Sequence, residues 1–280
     1  MSLVIASLNS GSNGNCYYVG NKEEAVLIDA GISCRETERR MNRLELSMNK
    51  VKAIFITHEH ADHINGLHKL VKKYKMPVYI TQKTRFNQAL EWSESVAVNF
   101  KAYEPIQIGN LEITPLPKFH DGNDPHSFVV SHEGVNVGVF TDSGRVCDHL
   151  IKNFQLCHAA FLESNYDEDM LQNGGYPLHL KNRIRGGEGH LSNKEALQLF
   201  LNHRPSFMSH LILSHLSKNN NRVEIVEELF SSVAGSTQII VASRKEESAI
   251  YQIGSTPSAQ YNPVKQVRNK NQDQLSLFEA

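Results

Sequence analysis

Residues 57–63 read Thr-His-Glu-His-Ala-Asp-His, so His58, His60, Asp62 and His63 arrive directly after an apolar run at 51–56. Imidazole nitrogens and a carboxylate at this spacing are the side chains of a metal site. Histidines two apart project to one side of an extended segment, so His58 and His60 can share one cation while Asp62 and His63 turn toward a second beside it. Imidazoles with one hard carboxylate suit Zn²⁺, Mn²⁺ or Fe²⁺ and offer little to Ca²⁺. The plain alternative, a histidine-rich surface turn, gives no reason for a buried strand to lead into it.

Such a cluster needs rigid elements on which to sit. Runs at 3–8, 15–20 and 25–30 read as short strands separated by Gly, Asn and Lys-Glu turns, an N-terminal β-meander. Ser33 stands where it can cap a helix to about residue 46, with Glu36 completing a capping-box pattern. A helix at 63–74, a strand at 78–81 and a helix at 84–92 follow, and strands alternating with helices indicate a layered α/β domain. Further strand patterns occupy 111–119, 135–140, 159–163, 211–213 and 238–242, and Ser192 or Asn193 can cap a helix over 194–203.

Two segments have the composition to meet an anion. The loop 9–15, Asn-Ser-Gly-Ser-Asn-Gly-Asn, can cradle one with backbone N–H groups or be a loose hairpin loop. In 173–189, the least regular stretch, Lys181, Arg183 and Arg185 stand beside glycines, as a grip on phosphates or as a solvated charged loop. With 29 basic and 30 acidic residues the formal charge is -1, so attraction to nucleic acid has to come from such local patches. The four cysteines form no C-x-x-C pair and read as reduced core residues, and no leader or membrane-length apolar run is evident; a cytoplasmic globular protein without membrane contact is expected.

The stretch 58–63 matches the H-x-H-x-D-H signature of the metallo-β-lactamase superfamily, which the chain resembles over about residues 3–245. The resemblance implies further ligands at strand ends: His120, Asp142 as a carboxylate bridging two ions, and His215. Metal one would take His58, His60, His120 and Asp142, and metal two Asp62, His63, Asp142 and His215, as a pair of Zn or Mn ions, with Fe a further option. His126, where a smaller residue is expected, competes with His120, which is favoured because it directly follows an apolar strand. Asp142 read without the resemblance is also a reasonable cap for a helix at 145–153. Asp29 is expected to steady the metal loop, and Ser10, Ser12 and Asn13 to match the superfamily's S-G-S-x-G-N phosphate loop.

The stretches F-H-D-G-N-D-P, R-I-R-G-G-E-G-H-L-S-N and L-S-H-L-S-K-N-N-N resemble the YycJ-like branch, related to ribonuclease Z. In ribonuclease Z and its relatives a His at the place of His190 assists the leaving group, and here Glu163, His190 and His215 occur in that family's order. Asp62, Glu163 and His190 are accordingly the expected catalytic residues. The implied fold is an α/β, αββα four-layer sandwich over residues 1–254, with two mostly antiparallel sheets faced by helices. No inserted domain of the β-CASP kind and no transfer-RNA arm is present. Residues 255–280, rich in Ser, Gln, Asn and Lys, read as a disordered tail, and its Gln274, Leu275, Ser276, Leu277 and Phe278 match the pentapeptide that docks bacterial proteins on the replication sliding clamp. A short apolar patch that folds back on the domain is the alternative.

The expected function is a dinuclear metal-dependent phosphodiesterase or nuclease, foremost a DNA exonuclease of replication or repair. Competing expectations are a small-molecule hydrolase of thioesterase, lactamase or cyclic-phosphodiesterase type, an endoribonuclease, and a clamp-docked binding module with a structural metal.

Overall fold

The structure, a computed structural model, describes residues 2–86 and 96–254. Gln274, Leu275, Ser276, Leu277 and Phe278, with the whole of 255–280, lie outside the described residues, as does most of the helix expected at 84–92. The first sheet is built from β1 (Ser2–Asn9), β2 (Cys16–Gly20), β3 (Ala25–Ile28), β4 (Val51–Phe55), β5 (Val78–Tyr79) and β6 (Ala97–Val98). The second uses β7 (Ile106–Ile108), β8 (Leu111–Pro117), β9 (His126–His132), β10 (Val135–Phe140), β11 (Ala159–Glu163), β12 (His210–Ser214) and β13 (Gln238–Val241). A last strand, β14 (Tyr251–Gly254), returns to the first sheet and lies antiparallel to β1, Ser2 opposite Gly254.

The helices are α1 (Cys34–Arg43), α2 (Ala61–Ile64), α3 (Leu67–Tyr74), α4 (Gln82–Phe86), α5 (Asp148–Phe154), α6 (Glu168–Asn173), α7 (Leu178–Arg185), α8 (Asn193–His203) and α9 (Val223–Ser231). Strand order is β14-β1-β2-β3-β4-β5-β6 in one sheet and β13-β12-β11-β10-β9-β8-β7 in the other. The meander β1–β3 is antiparallel as expected, but β3 through β6 are parallel, and β10 through β13 likewise. Each sheet is therefore half parallel rather than mostly antiparallel, because helical crossovers carry the chain back to the same end of the sheet.

Strand alternation divides the core. Ile5, Tyr17, Val19, Ile28 and Phe55 from one sheet meet Phe128, Val130, Val139 and Phe161 from the other, with Tyr17 and Phe161 rings 4.9 Å apart. The opposite faces are also apolar. Leu8, Tyr18, Leu27 and Ile54 pack under Met41 of α1 and Leu67 and Leu70 of α3. Phe140, Leu162, Leu211 and Leu213 pack under Phe154 of α5, Phe200 of α8 and Phe230 of α9. Helix, sheet, sheet and helix make the four layers, and strands covered on both faces, such as β2, β3 and β11, are buried along their whole length.

Local departures have local causes. The single helix expected at 63–74 is two, α2 and α3, because the chain dips at Gly66, whose N–H donates to Ala30 O and where a Cβ would lie 1.8 Å from Ile32 O. Ser33 does cap α1, accepting from Glu36 N, but the Glu36 carboxylate binds Arg39 and Arg40 and closes no capping box; the box forms at α8, between Ser192 and Glu195. Arg40 in turn holds Leu8 O, Asn9 and Lys245 O, clipping α1 to the end of β1. Among the described residues no helix is long and apolar enough to cross a membrane.

Gly31 is where fold and motif touch. Asn15 N donates to Asp62 O, Gly31 N donates to Asn15 O, and a Cβ at 31 would stand 1.7 Å from Asp62 O. Gly31→Ala is expected to cost about 1–3 kcal/mol or more through overpacking, a fall in Tm of several degrees by calorimetry. Gly175→Ala, where an added Cβ meets nothing within 4 Å, is expected to leave Tm unchanged.

Candidate metal centre

The carboxyl ends of β3, β4, β10, β11 and β12 and the loop after β8 converge at one edge of the sandwich, bringing Asp29, the 57–63 motif, Asp142, Glu163, His215 and His120 together. Three of these residues leave their strands in the left-handed region: Asp29 at φ 63°, Asp142 at 52° and His215 at 58°. Such conformations cost side-chain-bearing residues on the order of 1–3 kcal/mol each, and they concentrate at working sites. Asp142 caps no helix, since α5 begins after Cys147.

Three groups of ligand-type atoms form among the described residues, with the atoms of each within 4.8 Å of one another: His58, His60, His120 and Asp142; Asp62, His63, Asp142 and His215; and Asp142, Glu163, His190 and His215, of which the first two are the expected ligand sets. In the first, His60 Nδ1 lies 3.0 Å from His58 Nε2 and 3.3 Å from His120 Nε2. A tetrahedral ion with metal–nitrogen bonds of about 2.0–2.1 Å sets its ligand nitrogens about 3.3 Å apart, so the three rings fit one. Asp142 joins the groups: its Oδ2 is 3.1 Å from His63 Nε2, 3.6 Å from His120 Nε2 and 3.7 Å from His58 Nε2. In the second group Asp62 Oδ2 lies 3.6 Å from both His63 Nε2 and His215 Nε2.

The far nitrogens of His58, His63 and His120 are engaged. His63 Nδ1 donates to Asp29 Oδ2 at 2.7 Å, His120 Nδ1 to Gly189 O at 2.9 Å, and His58 Nδ1 meets the Thr57 hydroxyl at 2.9 Å. Asp29 also accepts from Thr57 N and Thr57 Oγ1, fixing the first residue of the motif. A ring whose Nδ1–H is donated outward presents the lone pair of Nε2 inward, which is how a metal-ligating imidazole is oriented. His215 Nδ1 lies 3.0 Å from both Glu163 Oε1 and Asp142 Oδ1, and its one hydrogen goes to Glu163. His215 Nε2 and Asp142 Oδ1 are thus buried with no hydrogen-bond partner, in the middle of the cluster. Two orphaned polar atoms there, among acceptor-only carboxylates, fit divalent cations.

Electrostatics says the same. Asp29, Asp142 and Glu163 are fully buried carboxylates beside a part-exposed Asp62. Burial pushes the Asp62 carboxyl up, but His63 and His215 overcome it and hold it at about 2. Burial would lower the His63 imidazole, yet Asp142, Asp29 and Asp62 raise it to about 10. Glu163 is held at about 2 by His190 against burial. This much negative charge at one edge favours cations, whether protonated imidazoles or bound divalent ions.

Beside the ligands, His190 Nδ1 donates to Glu163 Oε1 at 2.7 Å, and Glu163 Oε2 accepts from Ser143 N and Leu191 N. His190, Asp62, Asp142, His60, Ser12 and Arg183 border a cavity of about 380 Å³ over the cluster. His126 is elsewhere: it starts β9, bonds Asp124 O through Nδ1 and packs against Phe100. Of the residues expected to meet phosphate, Ser12 and Arg183 border the cavity. The Ser10 hydroxyl is spent inside, accepting from His215 N, and Asn13 donates to Arg244 O. Lys181, Arg183 and Arg185 lie on helix α7, not on a flexible loop, and Lys181 and Arg185 are bonded to Gln172.

Residues that the sequence did not single out complete the edge. Asn15 Nδ2 donates to Asp62 Oδ2, Glu59 accepts from Asn123 N, and Asp121 joins Arg183 Nε at 2.5 Å to His60 Nε2 at 3.8 Å. The signal for Glu59 and Asp121 was adjacency to ligands, and for Asn15 its place at the end of the S-G-S-x-G-N loop, where a phosphate contact rather than a bond to Asp62 was expected.

Residues 10–169 match the family described as the metallo-beta-lactamase superfamily. The chain is 34% identical over 237 residues, 83% of its length and 89% of the relative's, to a protein named exodeoxyribonuclease YycJ from Bacillus anthracis. It is 31% identical over 225 residues, 78% of its length and 83% of the relative's, to one named exodeoxyribonuclease WalJ from Streptococcus pneumoniae. Among solved structures it is similar to the metallo-beta-lactamase fold protein YhfI from Bacillus subtilis, with a TM-score of 0.71 at 15% identity, covering 90% of this chain and 100% of that one.

Asp29→Asn keeps a residue that tolerates the left-handed conformation while removing the charge and turning one of two accepting oxygens into a donor. It is expected to leave the fold intact and weaken Mn²⁺ or Zn²⁺ binding by about 10–100-fold in titration calorimetry, while Asp142→Ala abolishes stoichiometric binding. Isotherms unchanged in both variants would break the ligand assignment.

Proposed function

The chain belongs to the metallo-β-lactamase superfamily and is a metal-dependent hydrolase, and we propose that it is a nuclease, specifically a dinuclear DNA exonuclease that works in the cytoplasm in replication or repair. The observation that carries the reading is the pair Glu163–His190 set against two ligand groups that share Asp142. Similarity to two proteins named exodeoxyribonucleases, over most of their length, supports DNA as substrate.

Two ions, Zn²⁺ or Mn²⁺, would be held by His58, His60, His120 and Asp142 and by Asp62, His63, Asp142 and His215; when bound, they supply the Lewis acidity and water activation that phosphodiester hydrolysis needs. The chain's own groups do the rest. Arg183 brings positive charge to the cavity wall for a phosphate oxygen, and Asp121 fixes its guanidinium. Glu163 holds His190 through Nδ1, and in the imidazolium form the Nε2–H can pass its proton to the oxygen that departs from phosphorus, leaving the neutral ring bonded to Glu163. Asp62, held by Asn15, faces the same cavity. The cavity's modest volume also suits a small phosphodiester, so the deciding assay sets end-labelled single- and double-stranded DNA and RNA against a nitrophenyl phosphodiester, with Mn²⁺ or Zn²⁺. Stepwise loss of nucleotides from a DNA end is expected; turnover of the small ester alone would refute the nuclease reading.

His190→Ala is expected to keep its metals and lose about 10²- to 10⁴-fold in kcat on DNA, with a smaller loss on the nitrophenyl ester, whose leaving group needs no proton. Equal losses on both would remove His190 from the proton-donor role.

The tail supplies a second proposal. Gln274, Leu275, Ser276, Leu277 and Phe278 carry the docking pentapeptide in an otherwise polar stretch, and a chain of net charge -1 has little general attraction for DNA. Docking through this pentapeptide would hold the domain near clamped DNA at an effective concentration on the order of millimolar. Leu277→Ala with Phe278→Ala is expected to abolish binding to a bacterial sliding clamp in calorimetry and leave hydrolysis of a short free oligonucleotide unchanged. A wild-type chain that shows no heat of binding at high micromolar concentration rejects the tether.

A further inference from the structure

The lining of the cavity over the ligand cluster, which includes Arg183, holds two further and unlike sets of groups. One is made of ionisable groups: His60, Asp62, Asp142, His190 and His215. The other is apolar and includes the ring of Tyr176 with Leu180 and Ile184 of α7. The metal chemistry has no use for that second set, since attack at phosphorus engages only the polar groups.

Tyr176 is held as a platform is held. Its ring packs, with Leu180, on the buried cluster Tyr166, Leu171 and Ile184, and its hydroxyl accepts from Asn219 Nδ2 at 3.0 Å. A ring fixed at both ends loses little freedom when something stacks on it, which is what makes an aromatic side chain an effective anchor. The cavity, at about 380 Å³, is at the small end of the range of about 300–1,000 Å³ for sites that enclose one small molecule. That is the scale of a site for one nucleotide unit.

We propose that Tyr176 is the nucleobase subsite: the unpaired base of the terminal nucleotide stacks on this ring while its phosphodiester lies over the shared Asp142. This deepens the nuclease reading and rests on it. A paired end has to open before its base can reach the ring, so the enzyme prefers single-stranded or frayed ends. Stacking accepts any of the four bases, because each has a π face, so the subsite selects for an unpaired base and not for sequence.

The test is a cycle of two enzymes and two substrates, both metal-loaded. Wild type and Tyr176→Ala each receive a short single-stranded DNA whose terminal nucleotide carries its base, and the same strand with an abasic terminal nucleotide. Wild type is expected to lose about 5- to 150-fold in kcat/KM on the abasic end, the worth of one base–aromatic stack. Tyr176→Ala should show the same loss on the intact end and no further loss on the abasic one, while Tyr176→Phe, which keeps the ring and gives up only the Asn219 bond, stays within a few-fold of wild type. Wild type that cuts both ends equally, or a Tyr176→Ala variant that keeps the full preference for the base, overturns the subsite and leaves the nuclease reading standing. The wild-type measurement requires no substitution, so a misfolded Tyr176→Ala cannot rescue the idea. A wild type that cuts no oligonucleotide at all, yet turns over the nitrophenyl ester, overturns the nuclease reading and the subsite together.

Discussion

Four carboxylates crowded at one edge of a sandwich constrain nearly everything around them. Asp29, Asp142 and Glu163 have no exposure to water that would offset their charge. Two of them are instead surrounded by donors: Thr57 and His63 for Asp29, and His190, His215, Ser143 N and Leu191 N for Glu163. The imidazoles are oriented by those same bonds, so satisfying the carboxylates also aims the nitrogens. The two atoms left over, Asp142 Oδ1 and His215 Nε2, mark where protein groups stop and cations begin.

That arrangement explains why the site sits where parallel strands end. Each parallel strand releases its chain at the same edge, so five of them deliver side chains from distant parts of the sequence to one place. Sharp left-handed turns at Asp29, Asp142 and His215 let those side chains return to the edge at once instead of drifting away along a loop. The strain is carried by layers packed on both sides, where rings such as Phe55 and Phe128 interlock across the sandwich.

Much of this was legible in the sequence, for physical reasons. Strands buried on both faces, such as β10 and β11, are apolar runs bounded by turn residues, and their limits came out as written. A dense ligand motif betrays itself because His and Asp have few other reasons to be so close. What escaped was set by tertiary contact. Glycines beside Lys181, Arg183 and Arg185 suggested a loop, yet the segment is a helix because Leu180 and Ile184 find Tyr166 and Leu171 to pack against. Ser10 matched a phosphate-loop pattern, but only the fold shows its hydroxyl turned inward to the backbone of His215. The short strand β14, and the role of Gly66 in splitting one helix, depend on partners far along the chain, which local pattern does not encode.

The pairing of β14 with β1 has a bearing on how the molecule comes into being. One edge of β1 is matched at once by β2, but the other waits for residues 251–254. At synthesis rates of about 5–20 residues per second, that partner emerges roughly 12–50 s later. During this interval an apolar strand shows open backbone groups, a template for unwanted association that a chaperone or neighbouring helix must cover. The metal-ligand edge is set by the same long-range closure: Ser10 and His215, far apart in the chain, meet only when the two sheets have come together.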